Sequence, residues 1–475
     1  MTTNDLIVAI ELGSSKIAGA VGRKHADGSL QVLAYASEPV SGFVRRGVVY
    51  NIDQTAQCLA LLVNRLDGSL TNAEIQQAYV GVGGYTLHSE QNTVVRTFDE
   101  ESIVTAPIVD DMEEENATLQ YPGHDMLMMI PQEYKIGNNL LNDPVGVSCT
   151  QVEGNYLNIL ARTSMMHNTG KSFDNANITI ADTSIPPLVQ ANVLLSDNER
   201  RQGCVLVDFG ADTTTVSVYK GGYLRFLSVI PMGGQNITRD LCSLQLDEHE
   251  AERIKREYGL TSPVADATTL VLDDGRSVDL SKVHEAIEAR FEEIILNVCN
   301  QIKASGYAEA QLLAGVVCCG GGINLKGFKE AIAKKSQLSK VRLAHNTVTK
   351  VEWATAERPQ EGTQGVLVGL LMGGTDICCQ DSMSMELRPE DEARAVTGNL
   401  FTEDGESAQA KRDQELQELR QQKIKEAELK KAQMEAELKA RSNNFLTGFV
   451  KKFQTFTNKF ENKVDVFLSD EDKEG

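Results

Sequence analysis

The sequence has little of what would place it across a membrane, in an oxidising compartment or on nucleic acid. No apolar run approaches the ~18 residues of a membrane-spanning helix, and the short run near the start lacks the basic flank of a signal peptide. Nine cysteines show no zinc-type spacing, so we expect free thiols in a reducing compartment. The net charge of −21 argues against nucleic acid as a partner.

What the chain does have is enough length and apolar material for two or more domains. It contains 475 residues, of which 41% are hydrophobic and 24% charged. These proportions are ordinary for a globular protein.

One stretch, residues 203–222, reads as a strand, an acidic residue, a bend rich in glycine and threonine, and a second strand. The apolar run from Cys204 to Val207 predicts a buried strand, and Asp208 follows it. The bend contains Gly210, Thr213 and Thr214. Amides and hydroxyls in such a bend form an anion cradle, and the carboxylate beside it can hold a hydrated divalent cation.

A similar stretch lies near the start of the chain, and a third glycine loop lies near residue 320. In the first, Glu11 follows an apolar run; in the third, an apolar run ends in three glycines. The loop residues are Gly13, Ser14, Ser15 and Lys16, then Gly320, Gly321 and Gly322. Each loop alone predicts no more than a tight turn. The three in this order indicate two similar lobes with a phosphate-binding cleft between them, where glycine admits a flat ring or a ribose.

This order resembles the phosphate 1, phosphate 2 and adenosine motifs of the actin, Hsp70 and sugar-kinase superfamily. Further segments resemble one branch, the FtsA family of bacterial cell-division proteins. They read IPQEY at 130–134, NDPVG at 142–146, PMGGQNITRD at 231–240, and AE, K and YG at 251–252, 255 and 258–259. The resemblance covers most of the chain before residue 380.

The resemblance implies an α/β, two-lobed actin-like (ribonuclease H-like) ATPase fold with an inserted subdomain. We expect the first lobe (1A) at 1–83 and 162–202, the inserted subdomain (1C) at 84–161, the second lobe (2A) at 203–240 and 310–385, and a helical subdomain (2B) at 241–309. A polar linker with a helical spacer at 386–443, an amphipathic helix at 444–468 and an acidic tip at 469–475 are expected to follow.

The resemblance also implies an ATP and Mg²⁺ site. The phosphates would contact Gly13, Ser14, Ser15 and Lys16 on one side, and Asp208, Gly210, Thr213 and Thr214 on the other. Gly320, Gly321 and Gly322 would lie behind the adenosine, with Gly234, Glu252 and Lys255 completing the nucleoside side. Asp208, and Glu11 through water, would hold Mg²⁺ and are candidates for orienting the attacking water. Taken alone, Glu252 and Lys255 read as an exposed charge pair one helical turn apart.

Two departures from the resembled pattern predict slow hydrolysis. Glu11 stands where the superfamily usually has Asp, and the extra methylene moves the carboxylate by ~1.5 Å, more than an in-line displacement readily tolerates. Thr215 stands where an Asp is often found. We therefore predict an ATP-binding protein with at most slow ATPase activity, below about 1 turnover per second.

The last part of the sequence predicts a membrane-binding helix on a polar linker. Between residues 444 and 468, phenylalanines recur at intervals of three and four, which places them on one helical face. The stripe comprises Phe445, Phe449, Phe453, Phe456 and Phe460, with Lys452 and Lys459 off it or at its border. Such a helix suits an anionic membrane surface; the alternative is that it packs on a domain or on another helix. The acidic tip is expected to weaken binding to anionic lipid.

Three functions follow from these features. The first, implied by the resemblance to the FtsA family, is an actin-like protein that polymerises, binds the C-terminal peptide of FtsZ on subdomain 2B, contacts other divisome proteins and tethers the FtsZ ring to the inner face of the cytoplasmic membrane at the septum. The second is a small-molecule (sugar) kinase of the same fold. The third, an Hsp70-like chaperone, would require a β-rich domain after residue 385, where this sequence is linker-like.

Overall fold

The strands of the first half of the chain belong to the first lobe and to a long insertion within it. The computed structural model describes residues 5–381, apart from 71–72, 260–268 and 337–339. The expected linker, amphipathic helix and acidic tip therefore lie outside the described residues. The strands are β1 (Ile7–Leu12), β2 (Lys16–Lys24), β3 (Leu30–Pro39), β4 (Val44–Arg45), β5 (Val48–Val49), β6 (Ala73–Ile75), β7 (Gln77–Gly81), β8 (His88–Ile103), β9 (His124–Ile136), β10 (Asn139–Leu141), β11 (Ser148–Arg162) and β12 (Thr179–Ser184).

The second half of the chain adds the remaining strands, and the helices complete the layers. The strands are β13 (Cys204–Phe209), β14 (Thr214–Lys220), β15 (Tyr223–Ile230), β16 (Thr269–Val271), β17 (Ser277–Asp279), β18 (Gly315–Cys319), β19 (Val341–Leu343), β20 (Val351–Trp353) and β21 (Cys379–Asp381). The helices are α1 (Ile52–Asp67), α2 (Ala106–Ala117), α3 (Thr163–Asn175), α4 (Pro186–Leu194), α5 (Asp197–Gln202), α6 (Gly234–Cys242), α7 (Glu248–Tyr258), α8 (Leu280–Ala304), α9 (Phe328–Ser336) and α10 (Gly365–Gly373).

The two lobes have the same topology. Among the described residues, the first sheet has the order β12-β7-β1-β2-β3-β20, with β1–β2–β3 antiparallel and β7 and β12 parallel to β1. In the second sheet, β13–β14–β15 are antiparallel and β18 and β19 are parallel to β13. The expected two-lobed α/β fold is therefore confirmed, and all described residues fall within one compact unit of residues 1–386.

The sequence pattern explains why β1 and β13 are the central strands. Strands that are covered on both faces of a sheet are apolar at successive positions rather than at alternate ones. Val8, Ala9 and Ile10 fit this pattern and are fully buried, as are Val205 and Val207. Helices cover the sheets with apolar stripes at helical spacing. Leu59, Leu62 and Leu66 of α1 are buried in the first lobe, and Phe291, Ile294, Ile295 and Val298 of α8 are buried in the second.

Two helices, α4 and α10, pack closely against each other at the junction of the lobes. A Cβ at Gly369 would lie 2.3 Å from the Val189 carbonyl oxygen, so the α10 backbone touches α4 without an intervening side chain. This contact holds the buried face of α4, including Gln190, in a defined position. Within the described residues, no helix is long and apolar enough to cross a membrane.

The insertion between β7 and β12 extends the second sheet rather than forming a separate one. Its strands continue the order as β10-β9-β11-β8-β15, with β8 joined to β15 at the pair His88–Ser228. Arg225 on β15 is only 7% exposed. Its guanidinium donates to the Gln132 side chain at 2.9 Å and forms a bidentate ion pair with Glu133. The IPQEY segment thus fastens the inserted subdomain to the second lobe.

Candidate functional site

The first hairpins of the two lobes end in the same glycine turn. After β1, the Gly13 amide donates to the Lys16 carbonyl at 3.0 Å; after β13, the Gly210 amide donates to the Thr213 carbonyl at 2.9 Å. A Cβ would lie 2.6 Å from that carbonyl oxygen at Gly13 and 2.9 Å from it at Gly210. Both turns are therefore closed by glycine, and each presents its backbone at the end of a buried strand.

Glu11 and Asp208 occupy equivalent places beside these turns and lie close together. Glu11 pairs with Ala18 across its hairpin and Asp208 with Thr215 across its own, one step before each turn. Burial and the neighbouring charge of Asp208 raise the pKa of the Glu11 carboxyl to about 7, and Lys16 opposes this in part. The structure thus brings together two carboxylates from the two lobes with the lysine of the first turn.

Gln190, on the connecting helix α4, supports Asp208. Its side chain is 4% exposed, and its Nε2 donates to Asp208 Oδ2 at 2.6 Å. Burial raises the pKa of the Asp208 carboxyl and this hydrogen bond lowers it. Sequence reasoning missed Gln190, although an amide side chain inside the largely apolar run PPLVQANVL is a signal of a buried polar partner.

The triple-glycine loop packs directly behind the second turn. Gly320 has φ 87°, and a Cβ there would lie 2.3 Å from Asp208 Oδ1. A Cβ at Gly322 would lie 2.8 Å from Cβ of Phe209, whereas one at Gly321 would meet nothing closer than 3.9 Å. Close contacts inside the protein therefore leave no room for a side chain at Gly320 or Gly322, whereas there is open space beside Gly321.

The loop before α6 holds the second turn through its backbone. Thr214 is fully buried, and its hydroxyl donates to the Met232 carbonyl at 2.8 Å, while Thr213 is half-buried. The Gly234 amide donates to the Gly210 carbonyl at 3.0 Å, and a Cβ at Gly233 would lie 2.5 Å from that oxygen. The glycine pair of the PMGGQN segment thus permits two loops to touch.

Glu252 and Lys255 form a buried network with α6. The Lys255 ammonium donates to Glu252 (2.6 Å), Thr238 (2.8 Å) and the Gly234 carbonyl (3.1 Å). Burial raises the pKa of the Glu252 carboxyl, but Lys255 and its other donors outweigh that effect and lower the pKa to about 2. Lys255 is 8% exposed, so the alternative of an exposed charge pair is wrong.

The first turn is held from two sides of its own lobe. The Lys16 ammonium donates to the Tyr35 hydroxyl at 3.2 Å and lies 5.9 Å from the centre of that ring. The Ser14 hydroxyl accepts the Gly47 amide at 2.8 Å. Ser15 is exposed beside them.

Two lobes of one topology, each placing a carboxylate and a glycine turn at a shared site, define an actin-like protein. A chain of the solved "PilM-PilN type IV pilus biogenesis complex" has this fold, with a TM-score of 0.55, 15% identity, and coverage of 77% of this chain and 98% of that chain. The family model "Cell division protein FtsA" matches residues 205–357, and the model "SHS2 domain inserted in FTSA" matches residues 84–160.

Curated relatives agree with the family models. The cell division protein FtsA of Porphyromonas gingivalis is 32% identical over 342 residues, which are 70% of this chain and 71% of that protein. The FtsA of Bacillus subtilis is 26% identical over 355 residues, 72% of this chain and 79% of that protein. The chain belongs to the FtsA family of cell-division proteins, as the resemblance of its motifs predicts.

Proposed function

We propose that this chain binds ATP with Mg²⁺ between its lobes, polymerises, and tethers the FtsZ ring to the inner face of the cytoplasmic membrane at the division septum. The observation that carries the nucleotide part is the pair of equivalent turns beside Glu11 and Asp208. Membership of the FtsA family supports the cell-division part and does not favour the sugar-kinase alternative.

The phosphate groups would lie between the two turns. Gly13, Ser14, Ser15 and Lys16 on one side, and Gly210 and Thr213 on the other, offer backbone amides, hydroxyls and one ammonium. Thr214 has a different role in this proposal, because its hydroxyl donates to Met232 inside the protein. It positions the turn rather than donating to a phosphate.

The two carboxylates fit a hydrated Mg²⁺ ion, which prefers oxygen ligands and retains several waters. Within the described ranges, no group of three or more His, Cys, Asp or Glu side chains gathers as a direct metal site. In this proposal Asp208 would hold the ion, with Glu11 acting through water. When bound, the ion supplies neutralisation of phosphate charge.

The nucleoside would be held by the glycine loop, Gly320, Gly321 and Gly322, and by the network around Gly234. An ammonium has three donors, and those of Lys255 are directed at Gly234, Thr238 and Glu252. We assign Lys255 the task of positioning these groups. Glu252 has oxygen lone pairs that can accept a ribose hydroxyl.

Slow hydrolysis follows in this proposal from the geometry of Glu11. Its longer side chain and raised pKa both reduce the fraction of molecules with a correctly placed, ionised carboxylate. The protein would act mainly as a nucleotide-dependent assembly unit.

The remaining contacts belong to other parts of the chain. The helical subdomain 241–309 would bind the C-terminal peptide of FtsZ, and the inserted subdomain would contact a neighbouring copy in the polymer and other divisome proteins. The amphipathic helix at 444–468, outside the described residues, would bind anionic lipid through Phe445, Phe449, Phe453, Phe456 and Phe460, with Lys452 and Lys459 at the headgroups.

Co-sedimentation of FtsZ with anionic vesicles tests the whole proposal. FtsZ should pellet when full-length protein, ATP and Mg²⁺ are present. It should stay soluble with a chain ending at Ser442, or with neutral vesicles. A matched control is the Phe401→Asp variant, which alters a phenylalanine outside the stripe and should act as the wild type does. Pelleting of FtsZ with the truncated chain would rule out the tail as the anchor.

A further inference from the structure

The hairpin β4–β5 carries a strained turn at its tip. Val44 pairs with Val49 and Arg45 with Val48, leaving Arg46 and Gly47 as a two-residue loop. Both loop residues are left-handed, with φ 50° and 75°, as the common two-residue hairpin turn requires. An arginine in this conformation is unusual, and such strain persists where the surroundings over-determine the backbone.

The tip contacts the turns at residues 13–16 and 210–213, the two phosphate loops of the proposed site, through consecutive backbone amides. The Arg46 amide donates to Asp212 Oδ2 in the second-lobe turn at 3.1 Å, and the Gly47 amide donates to Ser14 Oγ in the first-lobe turn at 2.8 Å. Because the Ser14 oxygen accepts from Gly47, its own hydrogen remains to be donated to another acceptor. Two successive peptide groups of the tip therefore join the two turns.

The same tip contacts the root of the inserted subdomain, meaning the residues around 84–85 and 162 where the chain enters and leaves it. The Arg46 carbonyl accepts the Tyr85 amide at 3.0 Å, and a Cβ at Gly47 would lie 2.8 Å from Cα of Gly84. The guanidinium groups of Arg46 and Arg162 each lie 5.9 Å from the Tyr85 ring centre. Tyr85 and Arg162 mark where the chain enters and leaves that subdomain.

We propose that the Arg46–Gly47 tip positions the two phosphate loops and couples their occupancy to the root of the inserted subdomain. This inference rests on the proposed binding of ATP. A terminal phosphate held by the Ser14 turn and the Asp212 turn acts on both acceptors of the tip amides. Any displacement of the tip is passed to Tyr85, because the peptide group between Arg46 and Gly47 contacts both Ser14 and Tyr85.

The test compares the full-length wild type with Gly47→Ala. The added methyl group must displace Gly84, and alanine disfavours φ 75°. The matched control is Arg45→Ala in the same hairpin, since the Arg45 side chain packs on Tyr50 at 4.7 Å and donates to the Gly42 carbonyl. Binding of Mg·ATP and Mg·ADP is measured by displacement of a fluorescent nucleotide. Hydrogen–deuterium exchange is followed in peptides covering residues 84–90 and 160–166.

In the wild type, exchange at both root peptides should be slower with ATP than with ADP. Gly47→Ala should abolish this difference and weaken ATP binding ~10-fold, the effect of one charge-assisted hydrogen bond, while ADP binding changes little. Arg45→Ala should match the wild type. If Gly47→Ala does not fold, Tyr85→Leu replaces it; this variant should keep ATP affinity and reduce the exchange difference, because it removes the ring that Arg46 and Arg162 contact.

The outcomes separate the two proposals. Failure of the wild type to bind ATP would contradict the proposed function itself. Binding of ATP with identical exchange at the root in ATP and ADP would overturn the coupling alone, as would a Gly47→Ala protein that retains the wild-type difference.

Discussion

The Glu11 carboxylate, at the end of one central strand, lies close to the Asp208 carboxylate, at the end of the equivalent strand in the other lobe; burial, and then the charge of Asp208, raise the pKa of Glu11. Two like charges are stable at such a place when a cation joins them or when one is protonated. We therefore expect the stability of the protein to depend on pH and on divalent cations through this pair.

Replacing Glu11 should change how stability depends on pH. The folded-state pKa of about 7 exceeds the ordinary 4.5, so the folded protein binds this proton more tightly than the unfolded chain does. The contribution of Glu11 to the free energy of unfolding should therefore fall as pH rises from about 4.5 to about 7, and then level off. Urea unfolding of metal-free protein across this range should show a weaker decline for Glu11→Gln. The exposed glutamate variant Glu352→Gln should retain the wild-type slope; equal slopes for both variants would contradict the assignment.

Alanine substitutions in the triple-glycine loop should affect nucleotide binding more strongly at Gly320 than at Gly321. Gly320→Ala places a Cβ 2.3 Å from Asp208 Oδ1 at a left-handed φ, so it must displace that carboxylate. We expect Mg·ATP affinity to fall at least ~10-fold, the scale of one lost hydrogen bond to a charged group. Gly321→Ala, with open space around it, should reduce affinity less. Calorimetric titration measures both, and equal losses would show that Asp208 is not the affected group.

Removing the Gln190 amide should weaken cation binding through Asp208. Gln190→Ala deletes the 2.6 Å hydrogen bond and leaves Asp208 Oδ2 without this donor. The concentration of Mg²⁺ needed for half-maximal ATP binding should rise several-fold, because a free carboxylate is less well oriented. Asn192→Ala, two residues along α4 and exposed, is the control. An unchanged Mg²⁺ requirement in Gln190→Ala would show that α4 does not position Asp208.

Breaking the ion pair between Arg225 and Glu133 should weaken the attachment of the inserted subdomain to the second lobe. Arg225→Ala leaves the partly exposed Glu133 without its partner, and we expect a cost of about 1–3 kcal/mol, between that of a surface pair and that of a fully buried one. Arg96→Ala, which breaks the more exposed pair with Glu115, should cost below about 1 kcal/mol. Urea unfolding measures both. The Arg225 hydrogen bonds lower the pKa of Glu133, so this stabilisation should be present above the ordinary glutamate pKa of 4.5 and decline as pH falls below it. A small effect of Arg225→Ala at neutral pH would mean that the β8–β15 pairing carries the contact.

Local patterns were enough to predict the hairpin and glycine turn that form each half of the candidate site. Gly13 and Gly210 follow apolar strands and an acidic residue, and hairpins of this kind form from residues adjacent in sequence. The apolar face of α1 could also be predicted from the sequence, because Leu59, Leu62 and Leu66 recur at helical spacing. The assignments of individual residues to phosphate, ribose and metal stay predictions.

Other features had no local signature. Glu252 and Lys255 are one turn apart, and spacing alone cannot distinguish an exposed pair from the buried network with Thr238. Gly320 was expected to lie behind a nucleoside, which stays a prediction, and nothing in the local sequence indicated that a Cβ there would meet Asp208.

The sequence by itself determined the two hairpins, their glycine turns, the apolar central strands and the family to which the chain belongs, because these depend on residues close together along the chain. Only the tertiary structure decided that Gln190 supports Asp208, that Arg46 reaches Asp212 and that Arg225 holds Glu133. Each of these pairs joins elements from different parts of the fold, and their energies depend on burial and distance, which a pattern of residue types does not specify.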